Sequence, residues 1–352
     1  MTDYPEEPLK RPTSNIVGTV ETAAEGNIDL LVGEDDNPAL AAKIHLINDA
    51  IDEIGWTGFH WKLFFLNGFG YAVDSMVLIL QGIIANQAYL EIGDGGYQTG
   101  LTFALYAGLL VGALFWGFGA DIIGRRIAFN ITLFIASMAC IVAGASPNWG
   151  ALGFFISLIG FGAGGNLILD STVFLEFLPS DKQWAITALA GWWGLGQALP
   201  GFIAWGIFVR SDWSCTAASH CTWENNKGWG LIMFISGAFF FVLSLLRLVI
   251  IRLQETPKFL VNAGRDEELV ENLQGLAAKY GRSCSLTIEQ LKACGESRSS
   301  IRKRTPRGIM AELTHHVAGL FATRKLALST SLVWLSWTMI GLAYPLFYVF
   351  LP

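Results

Sequence analysis

Charge is what this sequence has least of. Asp, Glu, Lys and Arg make up 15% of its 352 residues, against about 25% in soluble globular chains. The deficit is concentrated. Between residues 63 and 90 Asp74 alone is ordinarily charged at pH 7, and between 97 and 120 no side chain is. Hydrophobic residues reach 53%. Long uncharged apolar runs exclude a secreted or cytosolic soluble chain and point to a lipid bilayer. Basic charge is also short: 23 Lys and Arg stand against 29 Asp and Glu, a net charge of -6, so no nucleic-acid partner is indicated. The opening residues are polar and bear proline, so no signal peptide is expected. Cysteine and histidine number five each, and Cys284 and Cys294 lack the paired spacing of a zinc site. No metal and no cofactor is expected. Nor does a nucleophile–base pair occur within the apolar stretches, so an enzyme is not expected.

Seven apolar stretches are present, over residues 63–88, 98–120, 127–145, 149–178, 184–209, 230–251 and 326–352. Each approaches or exceeds the roughly 20 residues that a helix needs to cross the hydrocarbon core. Helix is the form required, because lipid-facing backbone groups must be bonded within their own segment. A β-barrel would need alternating strands of about ten residues, and none is visible. The expected fold is therefore an all-α polytopic membrane protein. Its divisions are a disordered acidic tail over 1–38, an amphipathic pre-span segment over 39–60, and a six-helix transmembrane half over 61–252. A cytoplasmic helical loop over 253–325 and a seventh transmembrane helix over 326–352 complete it.

Orientation is read from basic residues. With the amino terminus in the cytoplasm, the inside loops hold Arg125, Arg126, Lys182 and thirteen Lys or Arg from Arg252 to Lys325, while the outside loops hold Arg210 and Lys227. The run 298–307 is strongly basic. Leu40, Ile44, Ile47, Ile51 and Ile54 recur at spacings of three and four, giving an amphipathic helix. It either lies on the inner leaflet or packs beneath the bundle. Cys215 and Cys221 fall in the outside loop, where they form either a disulfide or two free thiols. Plasma and vacuolar membranes are equally compatible.

Between the second and third stretches the chain reads Gly117-Phe-Gly-Ala-Asp121-Ile-Ile-Gly124-Arg125-Arg126. Taken alone this is either an ordinary basic inside loop or a tight turn whose arginines pair with acids on neighbouring helices. The stretch resembles the signature loop of the major facilitator superfamily, G-x-x-x-D-[RK]-x-G-R-[RK], departing from it at Ile122. After the sixth stretch, Glu255-Thr-Pro257-Lys258-Phe259-Leu260 with Gly264-Arg265 resembles the P-E-S-P-R-[WF]-L-x-x-x-G-[RK] motif of sugar-porter-like members. A third segment runs from Gly160-Phe-Gly162-Ala-Gly164-Gly165-Asn166 through Asp170 to Glu176-Phe177-Leu178-Pro179. It is similar to the synaptic-vesicle-glycoprotein-like and metabolite:proton symporter branches, especially fungal members. Phosphate symporters carry a G-G-D-Y-P-L-S version, from which Asn166 and Asp170 depart.

The resemblance covers residues 40 to 352, the first half of such a transporter plus one span, and implies a chain truncated before a second six-helix half. It implies secondary active transport of a small solute (a sugar, organic acid or other metabolite), proton-coupled, by alternating access. A solute sensor of the same fold and a non-transporting fragment are the rival readings, which uptake measurements would separate. The first and fourth spans would line the cavity, so Asp74 and Asp170 become candidate proton or substrate sites, joined by Asn166, Gln81 and Asn67. A carboxylate within hydrocarbon normally faces the interior and has a partner, so a structural acid bonded to a neighbouring helix is the competing reading. Asn166 and Asp170, four apart, share a helix face. By the same resemblance Asp121, Arg125, Arg126, Glu176 and Glu255 form a conformational gate of ion pairs. Gly108 with Gly112, and Gly160 with Gly164, read as close-packing sites.

Overall fold

The computed structural model describes residues 38–93, 96–209, 213–215, 221–251, 253–295 and 318–350. The expected tail and the basic run 298–307 fall outside them. Among the described residues the regular elements are helices: α1 (Pro38–Ile54), α2 (Gly58–Ile92), α3 (Gly100–Ile123), α4 (Arg125–Ala143), α5 (Trp149–Phe177), α6 (Trp184–Phe208), α7 (Gly228–Leu246), α8 (Pro257–Asn262), α9 (Asp266–Lys279), α10 (Ile288–Ala293) and α11 (Arg324–Phe350). A π turn, Arg247–Ile251, continues α7.

Six of these are long and apolar enough to cross a bilayer: α2, α3, α4, α5, α7 with its π turn, and α11. The stretch over 184–209 forms α6 of 25 residues but falls outside that group. Trp184, Trp192, Trp193, Trp205 and several glycines dilute its aliphatic residues. Its ~38 Å length would still reach across the hydrocarbon, and it packs along α2. Helix ends follow local chemistry. The Asn148 side chain caps α5 by accepting from the Ala151 N–H at 2.8 Å. Gly124, at φ +109°, makes the sharp break between α3 and α4 that a side chain would resist.

Helix α5 sits at the centre, against α2, α3 and α4. It gets there by being glycine-rich. A Cβ at Gly160 or Gly164 would run into the backbone of Leu105 and Leu109 on α3, and one at Gly108 or Gly112 into that of Ser157 and Phe161 on α5. Packing is therefore what these pairs provide. One end of the bundle core is built from Met76, Leu80, Leu105, Ile156, Trp229 and Phe240. Its other end, around Leu63, Phe129, Phe174 and Leu189, meets the smaller helices.

Those smaller helices form a collar. The face of α1 carrying Ile47, Ile51 and Ile54 packs on Leu260, Leu269, Leu273 and Leu291 from α8, α9 and α10. Of the two placements open to the amphipathic helix, this is packing beneath the bundle. Burying a full aliphatic side chain is worth roughly 1.5–3 kcal/mol. A buried Lys43–Asp266 pair at 2.5 Å fixes the register of α1 on α9. At the opposite end Cys215 and Cys221 are joined as a disulfide, with Cα atoms 5.7 Å apart. The Cys215 N–H donates to Gln87 Oε1 at 3.1 Å, docking that loop on α2. Helix α11 touches α2 but leaves Leu328, Leu332, Trp334 and Trp337 exposed.

Candidate functional site

Seven-residue spacing puts Asn67, Asp74 and Gln81 on one face of α2, and the fold turns that face into the bundle. The first two meet α5. Asn166 Nδ2 donates to both oxygens of Asp74, at 3.0 and 3.1 Å, and to Asp170 Oδ2 at 3.2 Å. Asn67 Nδ2 donates to the Asp170 backbone carbonyl at 3.0 Å. Gln81 lies two turns further along and is not part of this group. Its Oε1 accepts from the Thr102 hydroxyl at 3.2 Å, a tie between α2 and α3.

The cluster contains a residue that sequence reasoning missed. Arg247, at the start of the π turn, reaches inward and is 2% exposed. Its Nη2 pairs with Asp170 Oδ2 at 2.7 Å, and its Nη1 donates to Asn166 Oδ1 at 2.6 Å and to the Phe129 carbonyl at 3.3 Å. The guanidinium also stacks 4.2 Å above the Phe129 ring. Four helices thus converge on one polar knot: α2, α4, α5 and α7. Gly70 makes room for it, since a Cβ there would occupy the space of the Asp170 carboxylate and the Arg247 guanidinium. A signal for Arg247 was present. An arginine inside the apolar stretch 230–251 is itself an indication of a buried partner.

The charges do not cancel within the knot. Arg247 neutralises Asp170, but Asp74 has an amide donor and no ion pair among the described residues. Among the described residues, Asp170 Oδ1 and Asn67 Oδ1 are buried acceptors without a donor. Such groups are costly in a low-dielectric interior unless a proton or polar guest satisfies them.

The second group lies where α3, α4 and α5 approach the collar. The Arg125 guanidinium is held by Glu176 and by Asp121 Oδ1, the latter at 3.1 Å. Glu255 is met differently from the expected pairing. Its Oε1 accepts from the Arg126 backbone N–H at 3.0 Å, while the Arg126 guanidinium makes no ion pair among the described residues. Gly124 again matters, because a Cβ on it would press on Glu255 Oε2 at 2.8 Å. All five expected gate residues therefore gather at one turn, with Asp121 half exposed and Glu176 buried.

A bundle of long apolar helices, six of them long and apolar enough to cross a bilayer, enclosing a buried two-carboxylate, one-arginine knot is the architecture of a polytopic membrane protein. The sugar (and other) transporter family matches residues 62–348, and the chain belongs to that family of the major facilitator superfamily. The MFS siderochrome iron transporter 1 of Ceriporiopsis subvermispora is 40% identical over 90% of this chain and 61% of its own length. An uncharacterized MFS-type transporter of Schizosaccharomyces pombe is 36% identical over 99% of this chain and 67% of its own length. The major facilitator-type transporter hxnZ of Emericella nidulans is 33% identical over 97% and 64%. The chain thus spans 61% to 67% of the length of these relatives. Among solved structures, a double-Trp mutant of XylE is 16% identical, with a TM-score of 0.50 over 62% of this chain and 50% of that one. That likeness concerns the fold.

Proposed function

We propose that the protein is a secondary active transporter that moves a small solute through the membrane by alternating access, coupled to protons. Asp74 carries the proton in this reading. The observation behind it is the uncompensated charge: two carboxylates and one guanidinium are buried together, and only the Asp170 carboxylate has the cation. One proton leaves the knot neutral; its loss leaves a negative charge in a place that disfavours it. Asn166, bonded to both acids and to Arg247, relays that change to Asp170. Asn67 and the unpartnered Asp170 Oδ1 supply polar contacts for solute.

The Arg125–Glu176 pair and the Arg126–Glu255 bond act as the gate, made in one state and broken when the bundle rocks against a second six-helix wall. We place the collar and amino terminus on the cytoplasmic side, consistent with the basic residues of that region. The solute is a sugar, organic acid or other metabolite; one relative is named for siderochrome iron transport. The test is proton-linked uptake by a form matching the relatives in length. Asp74→Asn should abolish acid-stimulated accumulation while leaving exchange of bound solute. Accumulation that responds to pH as before would exclude Asp74 as the carrier.

A further inference from the structure

Helix α1 ends in two neighbouring carboxylates that hold different parts of the chain. Asp52 accepts from the Ser180 backbone N–H at 2.6 Å and from its hydroxyl at 2.7 Å, four residues beyond the gate acid Glu176. Glu53 accepts from the Ser285 N–H and hydroxyl, both at 2.7 Å, and from the Ser283 hydroxyl. Each clasp depends on a serine oxygen that brings a proton to a carboxylate. Replacing that proton with negative charge would turn attraction into repulsion at the same distance.

We propose that Ser285 is a phosphorylation site whose modification releases the end of α1 from the collar. Both clasp serines are exposed, and two features single out Ser285: it lies in the non-helical segment 282–287 between α9 and α10, and Arg282 precedes it by three positions. An accessible, non-helical segment with a basic residue just upstream suits a basophilic protein kinase. Ser180 instead sits in the tight Ser180–Lys182 turn with Asp181 beside it. In the reaction the terminal phosphoryl group of ATP passes to Ser285 Oγ. The Oγ–P bond forms, the bond from that phosphorus to the ADP oxygen breaks, and the hydroxyl proton leaves to the kinase's base. The dianion then faces the Glu53 carboxylate, and the Lys43–Asp266 pair two to three turns back is left to hold α1 with the apolar face.

The inference rests on the cytoplasmic placement of the collar, because kinases and ATP act there. The experiment separates the two. The purified full chain in lipid nanodiscs is treated with Mg-ATP and a basophilic serine/threonine kinase catalytic subunit, a reaction indifferent to orientation. Mass spectrometry should find phosphate on Ser285, and hydrogen exchange in residues 47–54 should quicken about tenfold. Ser285→Ala should remove both responses. In Glu53→Gln the phosphate should still be added, yet exchange should quicken by no more than about twofold relative to unphosphorylated Glu53→Gln protein, since the like charge is gone. No phosphate on Ser285, unchanged exchange after labelling, or the same acceleration in Glu53→Gln would each overturn the proposal. Labelling of Cys284 in intact against permeabilised cells tests the placement separately.

Discussion

The bundle carries charge at two levels, and they differ in how replaceable each member is. In the knot, Arg247 bonds Asp170, Asn166 and the Phe129 carbonyl at once, and its surroundings hold no other cation among the described residues. At the proposed gate, Arg125 is shared by a buried and a half-exposed acid, and Glu255 is satisfied by a backbone N–H. Charge removed from the gate can be replaced by water or a neighbour. Charge removed from the knot cannot, and the remaining group stays buried and unpaired.

The sharpest way to break this contrast is Arg247→Met. Two carboxylates would then share an apolar pocket without a cation, and unfolding of the purified chain should come earlier by about 3–5 kcal/mol. Adding Asp170→Asn to that variant should recover most of the loss, because the knot then again carries one carboxylate more than it has cations, as it does with Arg247 and Asp170 in place. Equal losses in the single and double variants would show that Arg247 contributes by packing instead. Glu176→Gln should cost less, about 1–2 kcal/mol, since Asp121 still holds Arg125. A loss as large as that of Arg247→Met would erase the distinction between the levels.

The smallest effect lies outside the bundle. Hydrogen bonds from the Ser285 N–H and hydroxyl, then from the Ser283 hydroxyl, hold the Glu53 carboxyl below its ordinary value of 4.5. Its folded-state value is therefore the lower one. The contribution of this clasp is complete above 4.5 and is lost as the pH falls through the folded value. Exchange at the end of α1, corrected for its intrinsic pH dependence, should accelerate over that window, and Glu53→Gln should flatten the response.

Much of this was legible in the sequence, for identifiable reasons. Apolar runs near 20 residues dictate helices in lipid, and the glycine pairs of α3 and α5 marked where two of them touch. Asp74, Asn166 and Asp170 were visible because polar groups within such runs are rare. Arg247 escaped because it sits near the end of its run, where an arginine ordinarily reaches for the interface; here its side chain turns inward while Leu248, Val249 and Ile250 stay exposed. Gln81 shares the periodicity of Asp74 yet belongs to a different contact, since a helix face is longer than a site. Arg126 was expected to act through its guanidinium, but its backbone is what meets Glu255.

The order of residues by itself determined that the chain is helical and apolar, which family its loops resemble, and which acids are dangerous to bury. Those follow from solvation and local backbone geometry, which depend on composition and near neighbours. Only the tertiary structure decided which acid receives the arginine and which is left with an amide. It also decided that the apolar face of α1 packs on α8, α9 and α10 to close a collar. Both depend on groups more than seventy residues apart in the chain meeting at hydrogen-bond distance, and local sequence carries no measure of that separation.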